Sequence, residues 1–461
     1  MSGFSLIIAF VIAIVVMIVA ISKYKVHPFL SIMGVSLLLG LTAGVPLVNT
    51  TVDGKQVQGI VNVIGSGFSG TFTSIGIVII LGALIGSILE KTGAALKLAD
   101  MVIKLVGKKR PALAMELMGW VVSIPVFCDS GFVILNPIRK SLVKRTRISS
   151  VTMSVALSAG LYISHVFIPP TPGPIAAANS LGIGNNMLLV MGMGALVSIF
   201  PLFAGYCFAK YIGQHVTAAD DATHEENAVS YEELVKTYGK LPGSFNSLAP
   251  IIVPIILMAM GSISAMAGWK GSMANLLSFL GTPVMALAVG TIFGIIQLST
   301  ANKINEFYDL TNDTLKTVGP ILFVTAAGGV LGKIIAVSGM VNYITANAAI
   351  LETIGIFFPF ILAAILKTAQ GSSTVAITTT AGILAPLMGV LGLDTPTMAA
   401  LTVMAIGAGA MTVSHANDSY FWVVTNFGEM TPDQGYRTQT VCTLVLGISS
   451  MVGIFLLSLV C

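Results

Sequence analysis

The apolar runs of this chain are too long and too many for a water-soluble fold. Stretches at 4–22, 28–46, 73–92, 150–178, 187–212, 247–268, 274–297, 319–340, 396–426 and 437–460 each approach or exceed the ~20 residues that a helix needs to cross a ~30 Å hydrocarbon layer. Charged residues make up 9% of the chain, against about 25% in soluble domains. Apolar types reach 55% and mean hydropathy is +0.93. A soluble sphere of this size could not cover its surface with so few polar residues. A soluble enzyme is excluded, and so is a nucleic-acid binder, despite the formal charge of +4. The sequence reads as an all-α polytopic membrane protein with the lipid bilayer as its first partner.

Two further apolar stretches, about 111–145 and 344–388, are too long for one crossing. Each is interrupted near its middle, by FCDSG at 127–131 and by QGSST at 370–374. A re-entrant hairpin fits each of them better than two crossings. The second half also repeats the first. GALIGSILEKTG at 82–93 aligns with GGVLGKIIAVSG at 328–339, an offset that carries Gly82 onto Gly328 and Gly86 onto Gly332. The same offset relates the early spans and brings the two hairpin tips within a few residues of one another, which reads as internal duplication. Residues 1–212 and 245–461 then form two halves of five helices, each with one re-entrant hairpin, about ten crossings in all. An odd number of crossings places the halves in opposite orientation, an inverted repeat.

Basic residues orient the chain. With the N-terminus outside, all of the 23 lysines and arginines but Lys55, Lys270, Lys333 and Lys367 fall in cytoplasmic segments. Both termini are then expected outside, with the hairpin at 111–145 entering from the cytoplasm and that at 344–388 from outside. Trp269 suits an outer interfacial anchor. The run from Phe4 to Ile21 lacks a basic flank and a small-residue cleavage site, so it is read as a retained span. The acidic segment 213–244 is a cytoplasmic linker between the halves. Cys128, Cys207, Cys442 and Cys461 form no CxxC pair, and neither a disulfide framework, a metal site nor a cofactor is indicated.

Polar groups at membrane depth are costly and therefore candidates for function. Here they recur at matching points of the two halves. The first tip offers Asp129, Ser130 and Gly131, and the following span Ser164, His165 and a proline-broken segment with Thr171. The second tip offers Gly371, Ser372, Ser373 and Thr374, and its following span Ser414, His415, Asn417 and Asp418. Irregular backbone at this depth is tolerated only where protein or a wet cavity surrounds it. Free N–H groups at half-helix starts favour anions, and hydroxyls suit a carboxylate or a sugar. Four such elements converging at mid-membrane describe a site for a small polar anion. Taken singly, each has a plainer reading: serine bonding its own i−4 carbonyl, histidine packing between helices, proline kinking one. Glu90 and Glu116 lie nearer span ends and are expected at the interface; Lys367 is expected to pair with a charge or to snorkel.

At these residues the chain resembles the gluconate permeases, proton symporters of sugar acids with D-serine-transporting relatives. The likeness spans nearly the full length and is most specific at FCDSGFVILNP (127–137), SHVFIPPTPGP (164–174), GSSTVA (371–376) and SHANDSYFW (414–422). It implies uptake of gluconate or a related small carboxylate across the bacterial cytoplasmic (inner) membrane, driven by an ion gradient. It also implies the fold of the wider ion-transporter superfamily, a homodimer with a static scaffold and a mobile transport domain moving as an elevator. The chain departs from the family pattern at Thr171, Lys367, Ser373 and Ser419, which bears on substrate geometry since lysine offers a point charge where arginine offers a fork.

Three other classes fit the sequence less well. A channel needs a continuous polar pore, whereas these polar residues cluster at one depth. A membrane enzyme could use Asp129, His165, Ser414 and His415, but no HExxH or GxSxG accompanies them and the duplication would go unused. A primary pump would need a phosphate-binding loop of the GxxxxGK[ST] type. No catalytic residue is therefore assigned. The coupling ion is expected to be a proton carried by Asp129 and His165, with sodium as the alternative. Glycerate and D-serine remain alternatives to gluconate.

Overall fold

The computed structural model describes residues 4–52, 55–98, 101, 110–146, 148–222, 241–266, 269–340, 343, 355–415 and 418–460. The first half comprises α1 (Phe4–Ser22), α2 (Pro28–Ala43), a small antiparallel ribbon of β1 (Thr50–Val52) and β2 (Lys55–Val57), α3 (Ile60–Lys91), α4 (Pro111–Val122), α5 (Cys128–Thr146), α6 (Ser150–Phe167), α7 (Pro172–Ser180) and α8 (Met187–Ile212). The second comprises α9 (Ser244–Met266), α10 (Ser272–Leu280), α11 (Pro283–Thr300), α12 (Phe307–Val337), α13 (Phe357–Gln370), α14 (Ser373–Leu384), α15 (Pro396–Met411), α16 (Ser419–Phe427) and α17 (Val441–Ser458).

Proline and glycine punctuate this order. Proline occupies the first turn of α2, α4, α7, α11 and α15, where its missing N–H is no loss. It also ends α6: Pro169 and Pro170 cannot donate to the preceding turn, and Ile168 before them is extended. Hydropathy alone starts two helices late. α3 begins at Ile60 rather than near 73, and α12 at Phe307 rather than near 319. Their first turns are too polar to register as apolar, yet the two helices pack along each other and keep those turns helical. A Cβ on Gly67 would stand 2.8 Å from Val330 Cα, and Thr314 donates to Ser87 Oγ at 3.0 Å. At 1.5 Å per residue, helices of 32 and 31 residues exceed a ~30 Å layer, so each must tilt or protrude. The apolar run 274–297 is divided at Gly281–Thr282 into α10 and α11.

Side chains sort as a bilayer demands. Every residue of α6 is buried, whereas Ile8, Val11, Ile12 and Val15 on α1 and Ile252, Ile256 and Ile263 on α9 stand exposed. Among the described residues seven helices are long and apolar enough to cross a membrane. This is a multi-pass membrane protein.

The helices divide into two packed bodies. α1, α2, α3, α9, α10, α11 and α12 hold together through α3 against α12, α2 against α12, and α9 against α11. α4 to α8 and α13 to α17 form the other, through α4 on α6, α13 on α15, and α8 on both α6 and α17. The bodies meet chiefly where α12 lies on α14 and α3 on α7. At one end, loops from distant parts of the chain join. Lys91 pairs with Glu306 at 2.5 Å, Lys140 pairs with Glu429, Asp221 accepts from the Ser150 N–H at 2.6 Å, and Gln434 donates to Thr217 O at 2.8 Å.

Candidate functional site

Within the second body, the turn between α4 and α5 faces the turn between α13 and α14. Each interrupts an apolar stretch with groups that end one helix and begin another. Gly371 has φ +91°, a left-handed conformation that lets α13 stop and Ser372 cap α14 by accepting from Val375 N–H at 3.3 Å. Asp418 caps α16 in the same way, its Oδ1 accepting from Tyr420 N–H at 3.1 Å. Asp129 lies in the first turn of α5.

These ends enclose a cavity of about 420 Å³. It gathers Asp129 and Ser130 from the first turn, His165 from α6, and Gly371, Ser372, Ser373, Thr374 and Asp418 from the second half. The halves interlock across it: Ser419 donates to Asp129 Oδ1 at 3.2 Å, and Thr374 Oγ1 lies 3.5 Å from His165 Nε2. Each turn thus touches the broken span of the opposite half.

Other expected residues stand behind the wall. Gly131 packs on α6, where a Cβ would meet Leu161 at 2.6 Å. Ser164 is buried without a partner among the described residues, and Thr171 donates to Ile168 O at 2.7 Å. His415 turns away to Thr368 O, 3.1 Å distant. Asn417 lies outside the described residues. Ser414 acts through its neighbour, donating to Asp418 Oδ2 at 2.5 Å.

Lys367 is neither free nor snorkelling. It is wholly buried, pairs with Asp418 Oδ2 at 2.6 Å and donates to Gly371 O. Its ammonium therefore fixes the second turn to the start of α16, and is already neutralised there. Among the described residues the side-chain partners of Asp129 at bonding distance are a hydroxyl and a thiol, Ser419 and, at 3.8 Å, Cys128. The site thus presents three helix N-termini and several hydroxyls, all suited to an anion, beside two carboxylates, Asp129 and the Lys367-paired Asp418, while Glu90 hydrogen-bonds Ser130.

Tyr162, Tyr420, Thr317 and Ile321 also line the cavity. Tyr162 stands one helical turn before His165, and Tyr420 lies inside the 414–422 motif, so both carried a signal of position. Thr317 and Ile321 come from α12, in the other body, and nothing in their residue types marks them. The expected interfacial place of Glu116 is also corrected: it is fully buried.

Known proteins agree with this architecture. The chain is 34% identical over 428 residues to an uncharacterized permease of Haemophilus influenzae, covering 91% of this chain and 85% of that one. It is 28% identical to the Gnt-II system L-idonate transporter of Escherichia coli (95% of each chain) and 28% identical to a gluconate permease of Pseudomonas aeruginosa (97% and 96%). The fold matches the YdaH transporter of Alcanivorax borkumensis with a TM-score of 0.64 at 15% identity, over 94% of this chain and 97% of that one. The relatives are permeases and transporters, not enzymes. The profile of the GntP family permeases matches residues 5–460, from the first helix to the last, and the chain belongs to that family.

Proposed function

We propose that the protein is a secondary active importer of gluconate or a related small hydroxylated carboxylate, coupled to protons. The observation that carries this reading is the pairing inside the cavity. Three helix N-termini and the Ser130, Ser372, Ser373 and Thr374 hydroxyls favour a polyhydroxy anion, while Asp129 opposes its charge. An anion can settle beside Asp129 only when that carboxylate is neutralised, which makes a co-bound cation part of substrate binding. Asp129 and His165 are the groups we assign to the proton. The named gluconate and L-idonate carriers among the relatives support a sugar acid as cargo. The proposed setting is a homodimer in the bacterial inner membrane, with termini outside and the linker inside.

The inverted repeat supplies the motion. Gly82 and Gly86 match Gly328 and Gly332, yet the pairs meet unlike parts of the cavity-bearing body. A Cβ on Gly86 would lie 2.2 Å from Pro125 O beside the first turn, whereas one on Gly332 would lie 2.2 Å from Gly382 O, far along α14. The repeat offset makes Pro125 equivalent to Gly371 and Gly382 equivalent to Asn136. In the opposite state the contacts exchange, Gly332 moving to Gly371 and Gly86 to Asn136. Eleven residues, Gly371 to Gly382 and mostly within α14, separate the two positions, about 16 Å at 1.5 Å per residue. The body that carries the cavity would slide by that order against α3 and α12, with the re-entrant hairpins as part of it. Gly86 lies near the Lys91 end of α3, so this conformation opens toward the face we assign to the cytoplasm.

The test is counterflow in proteoliposomes with gluconate, other aldonates, glycerate, D-serine and lactate, followed by uptake under separate pH and sodium gradients. Exchange of a sugar acid and accumulation driven by the pH gradient are expected. Accumulation driven by sodium alone would reassign Asp129 to cation ligation, and chemical change of the solute would remove the carrier reading.

A further inference from the structure

We propose that Glu116 is a second proton-binding site, outside the substrate cavity and toward the inner end of the mobile body. The inference rests on the proton-coupled reading above and adds a residue to it. Glu116 sits on α4 at a junction with α6, α8 and α17. Its side chain is 0% exposed, and neither carboxyl oxygen has a hydrogen-bond partner among the described residues. Gly205 on α8 makes the space: a Cβ there would stand 2.8 Å from Glu116 Oε1, 2.9 Å from Leu446 on α17 and 3.1 Å from Ala159 on α6. Among the described residues no charged side chain bonds to the carboxyl, and the Cys442 thiol lies within electrostatic reach. A carboxylate without counter-charge or donor in such a place is prohibitively costly, so the group is held as the neutral acid.

Packing does not require an acid here. Glu116 O seats against Gly160, where a Cβ would come within 1.8 Å, and the second half builds the same contact from Phe360 O against Gly409, at 2.2 Å. Phenylalanine serves at that contact. The carboxyl is thus an addition to a packing motif that closes without it.

A polar seam starts at the cavity wall and reaches the part of α6 that packs on Glu116. Tyr420, in the cavity wall, donates to Ser158 O at 3.1 Å, and Ser158 donates to Gln439 Oε1 at 2.7 Å. Gln439 stands in a π-helical turn, Tyr436–Thr440, a geometry frequent at functional sites. Gln439 Nε2, Ser154 Oγ and Trp120 Nε1 are buried with hydrogen-bonding capacity unused among the described residues. These groups offer partners to a proton-conducting water file between Asp129 at the cavity and Glu116 nearer the inner face.

The experiment compares wild type with Glu116→Gln in proteoliposomes, reading counterflow and pH-gradient-driven accumulation of gluconate in the same preparation. Glutamine keeps the shape of the neutral acid and cannot release a proton. Counterflow within about twofold of wild type and at least a tenfold loss of driven accumulation are expected. In difference infrared spectra after a pH step, wild type should show a protonated-carboxyl band that Glu116→Gln lacks. Full driven accumulation by Glu116→Gln overturns the inference while leaving the symport reading intact. Loss of counterflow together with accumulation makes Glu116 structural and overturns it too. A wild type whose accumulation ignores pH overturns the symport reading itself.

Discussion

At the scale of single residues, the ion pair beneath the second turn separates structure from binding. Lys367 and Asp418 satisfy one another in full burial, and removal of one partner strands the other, at a cost of about 3–5 kcal/mol. Lys367→Met and Asp418→Asn should each lower the melting temperature strongly, and the double variant should recover part of the loss. Additive losses measured by thermal unfolding in detergent would show the pair to be uncoupled. Asp129 behaves differently because the cavity reaches it. Asp129→Asn should keep the fold and counterflow but lose pH-driven accumulation by about tenfold or more; unchanged accumulation would shift the proton elsewhere. Residue types made Asp129, His165 and the serine cluster legible, since polar groups are rare in such apolar surroundings. They could not separate His165 from His415. Both follow a serine after a helix interrupted by polar residues, but α6 remains helical through Phe167 while α15 stops at Met411, so the unwound His415 swings to Thr368.

At the scale of elements, glycine decides where the two bodies can touch. Gly328 lies 3.3 Å from Thr378 O and 3.4 Å from Thr379 Cα, measured from a Cβ built on it, so backbone rides on backbone. Cysteines at 328 and 379 should cross-link in this conformation and stop counterflow until reduced; full activity while cross-linked would refute sliding. Under the proposed sliding, positions 82 and 133 meet in the opposite state, and that pair should cross-link only in protein able to move. Gly332→Val should disfavour the present conformation, because its side chain would collide with Gly382 O, and a cysteine at Ser372 should then lose labelling by a probe added from inside. The breaks that create these elements were legible as Gly, Pro and Ser clusters. Their depth was not, because depth depends on where α14 packs along α12.

At the scale of the whole molecule, the placement of basic residues predicts sidedness. A cysteine at Ala222 should label only from inside and one at Thr51 only from outside in intact cells; the reverse pattern would invert the topology. The sequence by itself determined that this chain lives in a bilayer, where its apolar segments run, and which polar clusters interrupt them. Those properties are local: the cost of burying charge, the missing N–H of proline and the length of an apolar run act residue by residue. Tertiary structure alone decided which clusters meet, that Thr317 and Ile321 close the cavity from another body, that Lys367 is neutralised by Asp418, and that Glu116 is sealed away beside Gly205. Such contacts join residues tens to hundreds of positions apart, and their energies depend on distance and dielectric, quantities that exist only once the helices have packed.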